Sequence, residues 1–240
     1  MGLMARVLGP RIPKDEYNEY RARYRLPTAF FIAAMMAILL SLLFPYWLLD
    51  LKAPQFPQGL HVKAYVNRLE GRVDPVTNSN DLEQLDALNH YVGMAGLDEG
   101  AEFERSIAVL SIVVFAGLLA SAIAINSRYV VLMALPAMLF PFIFLLDLQY
   151  WLWRYGHTLD PRAPLANAVG EFTPRIFGTS KIAQFNTIAK PGTGLLLAFA
   201  AAILAALGLW FHRRAFKPLV LAAQEEQVIA ATSELEEGDG

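Results

Sequence analysis

The chain has 240 residues, of which 55% are hydrophobic and only 18% are charged. A soluble domain has about 45–50% apolar and about 25% charged residues, so the composition argues against a single soluble domain. The chain contains no cysteine, which excludes a disulfide framework and thiolate metal sites, and its net charge of −2 does not indicate a nucleic-acid partner. The apolar residues fall in four runs of about 18–22 residues, the length that crosses a hydrocarbon core of roughly 30 Å. The composition therefore predicts a multi-pass membrane protein.

The predicted fold is an all-α membrane protein with four transmembrane helices and a small α+β periplasmic cap built from two loops. The first span lacks the small-residue cleavage site of a secretory signal and is expected to remain as an anchor. In chain order we predict an N-terminal segment 1–27, span 28–50, cap segment 51–105, span 106–126, span 129–153, cap loop 154–192, span 193–212 and tail 213–240.

The distribution of basic residues indicates the orientation. Lysine and arginine are denser in the N-terminal segment, at Arg128 and in the Arg213-Arg214-Lys217 cluster than in the two long connections. Because cytoplasmic loops carry an excess of these residues, both termini are predicted to be cytoplasmic. The expected location is the inner (cytoplasmic) membrane of a bacterium.

Two spans carry small residues at regular spacing. Such stripes let helix backbones approach closely in lipid, where apolar burial does not drive association. They predict helix-packing faces, either within the chain or against other integral membrane subunits; the alternative is that alanine is simply common in membrane spans. The stripes are Gly117 and Ser121 in the second span and Gly194, Ala198, Ala202 and Ala206 in the fourth.

Local patterns predict the elements of the cap. Val62, Ala64 and Val66 alternate with polar residues and indicate a half-buried strand within residues 60–69. Asn80 and Glu83 form a capping-box pattern, which predicts a helix from there to Gly93. A further short strand is expected over residues 181–188.

Histidine and methionine suggest one candidate metal site. His90 and Met94 are four residues apart, and on a continued helix the two would share a face. With His61, and with His157 as a further candidate, they would suit copper, above all the cuprous ion. The alternative is that His90 caps the helix or binds a loop carbonyl while Met94 packs in the cap, and Gly93 favours this because the helix could end there.

Two blocks of sequence resemble a family. Leu88-Asn-His-Tyr-Val-Gly-Met94 resembles a Leu-Asn-His-Tyr-(Ile/Val)-Gly-Met signature in poorly characterised bacterial four-span membrane proteins loosely associated with copper-dependent respiration. Phe172-Thr-Pro-Arg-Ile-Phe-Gly-Thr179, with Phe185 and Asn186, is similar to their second block. The resemblance covers both cap segments and the spans between them. It implies a respiratory membrane setting and slightly favours copper, but it assigns no residue a role.

Charged residues near the outer ends of the spans are the remaining candidates. Asp50 and Asp147 could form structural ion pairs at headgroup depth, with Lys52 and Arg154 close in sequence, or could relay protons or ions. The sequence contains no His-Glu-x-x-His motif, no phosphate-binding glycine loop and no pattern that indicates a Ser–His–Asp set. We therefore predict that the protein is not an enzyme.

Two functional hypotheses follow. The first is a non-catalytic accessory or structural subunit of a respiratory or photosynthetic membrane complex, in contact with lipids, integral membrane subunits and periplasmic subunits. The second is a copper-binding or copper-delivery protein that faces the periplasm. No cofactor is required by the first hypothesis, although lipids or pigments could contact its helices.

Overall fold

The computed structural model describes residues 8–9, 21–182 and 185–238. Its helices are α1 (Arg21–Ser41), α2 (Asp81–Val92), α3 (Glu102–Ala122), α4 (Val130–His157), α5 (Ala166–Val169) and α6 (Thr193–Gly238). Its strands are β1 (Trp47–Ala53), β2 (Phe56–Ala64), β3 (Leu69–Gly71), β4 (Gly178–Ile182) and β5 (Phe185–Pro191). A 3₁₀ turn, Leu97–Glu99, precedes α3.

Among the described residues, four helices are long and apolar enough to cross a membrane. They are α1, α3, α4 and the part of α6 over Thr193–Leu219, so the four predicted spans are present. The chain is thus a multi-pass membrane protein with a small antiparallel sheet. The residues of the predicted tail up to Gly238 continue α6 without a break.

The helix of the first span ends earlier in the sequence than predicted. We expected it to run over 28–50, but α1 begins at Arg21 and ends at Ser41, and β1 already starts at Trp47. Trp47, Leu49 and Leu51 point to the buried side of the sheet, and the leucines extend the apolar run of the helix in the sequence. A buried strand and the end of an apolar helix cannot be told apart by hydrophobicity alone, which explains the error.

The other boundaries move by smaller amounts. The second span was expected over 106–126 and forms α3 four residues earlier, while the third, expected over 129–153, continues as α4 to His157. The strand predicted within residues 60–69 is β2 followed by β3. The single strand predicted over 181–188 is instead divided between β4 and β5.

The backbone divides into two compact units. One unit comprises Met1–Ala37, Val114–Met138 and Ala200–Gly240. Within it α1 and α6 pack through aromatic rings: Phe30 stacks on Phe211 at 5.2 Å, and Tyr24 meets Phe216 edge-on at 5.5 Å. A Cβ atom on Gly208 would lie 2.8 Å from the Phe31 ring, so a glycine is needed for this close approach.

The second unit, Ile38–Val113 and Leu139–Phe199, contains the sheet. The strand order is β3-β2-β1-β5-β4, and all neighbours are antiparallel. The central strand β1 pairs Asp50 with His61 of β2 and with Ile188 of β5. Because β5 comes from the second cap segment, the two segments share one sheet.

One face of this sheet is buried. Towards one end it packs against α2, where Leu51, Leu60 and Val62 contact Leu82 and Leu85. Towards the other end it packs against α4, where a cluster contains Trp47, Ala64, Ala189 and Leu152. The predicted alternation of Val62 and Ala64 is therefore the alternation of a strand with one packed face.

Helix α2 begins and ends as its sequence predicts. The Asn80 side chain accepts a hydrogen bond from the Leu82 amide at 3.0 Å, which caps the first turn. Gly93 follows the last turn with a left-handed backbone (φ 89°), and its N–H donates to the His90 carbonyl. The helix therefore stops before Met94, because a glycine in this conformation is a common C-terminal cap.

Candidate functional site

The small-residue stripe of α6 is used mainly inside the chain. Ala198 is fully buried, Ala202 is 8% exposed, and a Cβ atom on Gly194 would come within 2.6 Å of the Tyr46 ring. The fourth member, Ala206, is exposed. This stripe brings parts of the same chain together, which the sequence left open.

The small-residue face of α3 is different. A Cβ atom on Gly117 would meet nothing within 4 Å among the described residues, and the Ser121 hydroxyl only donates to the Gly117 carbonyl of its own helix at 2.9 Å. Ala120 is also exposed. We call Gly117, Ala120 and Ser121 the α3 small face. The sequence predicted Gly117 and Ser121, which are four residues apart, but not Ala120, which is three residues after Gly117.

Asp50 is the centre of a charged group on the sheet surface. Its Oδ1 lies 2.7 Å from His61 Nδ1, and its Oδ2 lies 3.4 Å from Lys190 Nζ. Burial alone would raise the pKa of Asp50, but the hydrogen bonds and charges of His61 and Lys190 outweigh it and hold the pKa below its ordinary value. We predicted an ion pair for Asp50 and named Lys52 as the residue near in sequence; the observed partners lie on the neighbouring strands instead.

The same face of the sheet is rich in lysine. Residues on alternate positions of paired strands share a face, so side chains in register with Asp50 project together. The lysines of this face are exposed, and they are Lys52, Lys63, Lys181 and Lys190. The acidic residues of this face are Asp50 and Glu70, which is in register with Lys63, so the outer face of the sheet carries a net positive charge.

The four residues proposed for copper occupy different surroundings. His61 projects from the face opposite the one that packs on α2, and it is hydrogen-bonded to Asp50. His157 Nδ1 lies 2.9 Å from the Trp153 carbonyl and therefore donates to it, because a carbonyl only accepts. His90 and Met94 do line one surface groove of about 670 Å³ together with Asp160.

Met94 also packs against the hydrophobic cluster of the cap, in agreement with the alternative that assigns it to the core. Among the described residues, no three His, Asp or Glu side chains converge where they could hold a metal ion. Copper binding through His61, His90, Met94 and His157 stays a prediction.

Asp147 and Arg154 both lie on α4 and do not form the ion pair that their positions suggested. Asp147 is half-buried. The Arg154 guanidinium instead lies 3.4 Å from the Tyr150 hydroxyl and 5.1 Å from the centre of the Trp151 ring. Arginine over an aromatic ring is typical of the membrane interface, where both side chains are amphipathic.

One charged residue of the cap was missed by sequence reasoning. Asp81 is only 3% exposed; its Oδ2 accepts the His61 backbone N–H at 2.8 Å and lies 3.2 Å from Arg72 Nε. It therefore ties the start of α2 to the sheet. The capping-box pattern predicted a helix start at this place, but the partner strand could not be known without the register.

Comparison with known proteins adds no relative. No protein-family model matches the chain, and no curated protein or solved structure matches it either.

Proposed function

We propose that this protein is a non-catalytic accessory subunit of a larger energy-transducing complex in the bacterial inner membrane, respiratory or photosynthetic. The α3 small face is the observation that supports this proposal most directly. Its role would be to pack against a transmembrane helix of a partner subunit, while the sheet contacts a partner outside the membrane. Both termini would lie in the cytoplasm.

The two small-residue stripes of the chain differ in what occupies the space beside them. On α6 the positions of close approach are filled by aromatic rings of the chain itself, such as Tyr46 at Gly194. On α3 the equivalent space beside Gly117 is open. In lipid, small residues favour association because a partner backbone can come close and gain dispersion contacts that mobile acyl chains do not match. An unfilled small face therefore favours a partner helix.

The basic sheet face supports a second contact. Lys52, Lys63, Lys181 and Lys190 project from it, with Asp50 already neutralised by its neighbours. A face of this charge would attract an acidic surface on a subunit outside the membrane, and such complementarity contributes to orientation and association rate. Helix packing would then supply affinity, and the lysines would align the partner.

The test is co-purification of partner subunits from mild detergent, with two matched variants in which an alanine is replaced by leucine. Ala120 lies on the α3 small face and Ala33 is an exposed alanine of α1, so Ala120→Leu and Ala33→Leu make the same change in two exposed helix surfaces. We expect Ala120→Leu to reduce the recovery of partner subunits by about fivefold or more, since overpacking costs about 1–3 kcal/mol. Ala33→Leu should leave recovery unchanged.

Two outcomes would contradict the proposal. The first is that the wild-type protein purifies alone from several mild detergents. The second is that both leucine variants retain their partners equally. Thermal unfolding of each isolated variant would show whether a loss of partner reflects a folding defect.

The proposed orientation has its own test, and the lack of cysteine simplifies it. Lys52 on β1 and Arg214 on α6 are both exposed, so each can be changed to a single cysteine. In spheroplasts, a membrane-impermeant maleimide should label Lys52→Cys at once and Arg214→Cys only after lysis. The reverse pattern would place the termini outside the cytoplasm.

A further inference from the structure

A groove lies between the turn after α3, the start of α4 and the polar end of the α6 span. We call it the α4–α6 groove; its volume is about 580 Å³, within the range of about 300–1,000 Å³ typical of small-molecule sites. Its wall is mostly apolar, and the residues that form it include Val130, Val131, Leu209, Trp210 and Phe216. Its charged lining residues are Arg128, Arg213 and Lys217.

A buried histidine holds the two sides of the groove together. His212 is 6% exposed, and its Nε2 lies 2.8 Å from the Ile125 carbonyl. Because a carbonyl only accepts, Nε2 carries the proton and donates. The His212 ring also stacks on Phe216 at 4.5 Å. The hydrogen bond to Ile125 fixes the turn that bears Arg128 beside α6, so the groove has a defined wall.

The three cations of the groove have no anionic partner in the described structure. Arg128, Arg213 and Lys217 are exposed. Among the described residues, none forms an ion pair with them and no acidic side chain lines the groove. Arg213 and Lys217 are four residues apart on α6 and therefore share a face. Trp210, one turn before Arg213, is half-exposed and marks the level of the membrane interface.

We propose that the α4–α6 groove binds one anionic phospholipid. Arg128, Arg213 and Lys217 bind the phosphate, because arginine matches phosphate geometry with two parallel hydrogen bonds and lysine adds a point charge. An acyl chain lies against Val131 and the apolar wall. Basic pockets between transmembrane helices are known to suit anionic headgroups, and here both the charge and the apolar space are present.

Basic residues at the cytoplasmic ends of spans also occur without any bound lipid, so the test must separate charge from shape. The charge variant combines Arg213→Gln with Lys217→Gln, which removes two of the three positive charges of the groove. The shape variant is Val131→Trp, which fills the groove and keeps every charge. Its control is Val109→Trp, at an exposed valine of α3 outside the groove.

The measurement is lipid binding to the full-length protein delipidated in dodecyl maltoside. Native mass spectrometry and thermal unfolding are recorded with phosphatidylglycerol, phosphatidylcholine or inorganic phosphate. We expect one tightly bound phosphatidylglycerol and a rise in melting temperature, with about tenfold weaker binding of phosphatidylcholine and no effect of phosphate. Both Val131→Trp and the charge variant should weaken phosphatidylglycerol binding about tenfold or more, and Val109→Trp should not change it.

Four results would overturn the proposal. If Val131→Trp binds as well as the wild type, the cations attract lipid without a groove. If phosphatidylcholine binds equally, the headgroup charge is not recognised, and if phosphate protects equally, no acyl chain is held. If the wild type binds no lipid, another occupant, such as a segment of this chain, fills the groove. Should the charge variant fail to fold, the two tryptophan variants decide the outcome.

Discussion

Replacing Ser41 by alanine is expected to destabilise the protein more than replacing Tyr46 by phenylalanine, although both changes remove the same hydrogen bond. Both residues are fully buried, and their hydroxyl oxygens are 2.6 Å apart. Ser41 Oγ donates its one hydrogen to the Ile38 carbonyl at 2.5 Å. The Tyr46 hydroxyl must therefore be the donor to Ser41 Oγ. The bonds run in one direction, from Tyr46 through Ser41 to Ile38.

This direction sets the order of the effects. In Tyr46→Phe the serine still donates to Ile38 and loses only an incoming bond, so the expected loss is about 0.5–1.5 kcal/mol. In Ser41→Ala the buried tyrosine O–H is left without an acceptor, and the expected loss is about 1–3 kcal/mol. The double variant also removes the Tyr46 hydroxyl, which has no acceptor in Ser41→Ala. It should be less destabilised than Ser41→Ala alone.

The assay is unfolding by sodium dodecyl sulfate titrated into dodecyl maltoside micelles, followed by the fluorescence of the four tryptophans. Wild type, both single variants and the double variant give one thermodynamic cycle. A double variant that is less stable than Ser41→Ala would refute the reasoning. So would a Tyr46→Phe variant that loses more than Ser41→Ala.

Three further predictions concern the same unit of the fold. Burial raises the pKa of Tyr46 to about 12. Because an unfolded tyrosine ionises near pH 10, the unfolding free energy should fall by up to about 1.4 kcal/mol per pH unit between those values, and a pH series on Tyr46→Phe should lack this loss. Asp81→Ala leaves the His61 N–H without its acceptor and should lower the unfolding free energy by about 2–3 kcal/mol, whereas Asp81→Asn, which retains an acceptor, should lose less in the same titration. Gly93→Ala places a side chain on a left-handed backbone, with its Cβ atom 2.8 Å from the Asp160 carbonyl oxygen, so the unfolding free energy should fall by at least about 1–2 kcal/mol. An unchanged midpoint of the detergent titration would mean that the α2 cap is not needed.

Local signals in the sequence were sufficient to predict those elements whose structure depends only on neighbouring residues. Asn80 and Gly93 bound α2 as predicted, because a cap acts through the chain immediately beside it. The four spans were recognisable for a similar reason, since length and hydrophobicity are properties of one continuous segment. The end of α1 could not be recognised from the sequence, because Leu49 and Leu51 are apolar residues of a strand and would be equally apolar in a helix.

Features that depend on register were not available from the sequence. Asp50 meets His61 only because β1 and β2 pair with that alignment, and it meets Lys190 only because β5 lies on the other side. A shift of one residue would move each of these side chains to the opposite face. The separation of His61 from His90 has the same origin, since it depends on which face of the sheet α2 covers.

The shared sheet also has a consequence for biosynthesis. Strand β1 is made early, but its neighbour β5 ends at Pro191, after α3 and α4 have been synthesised. Until then one edge of β1 has unpaired backbone groups, and an open strand edge is a template for pairing with other chains. A nascent chain stalled before residue 185 should therefore be prone to aggregation and to proteolysis. Synthesis of α4 is thus a condition for pairing both edges of β1 within the chain.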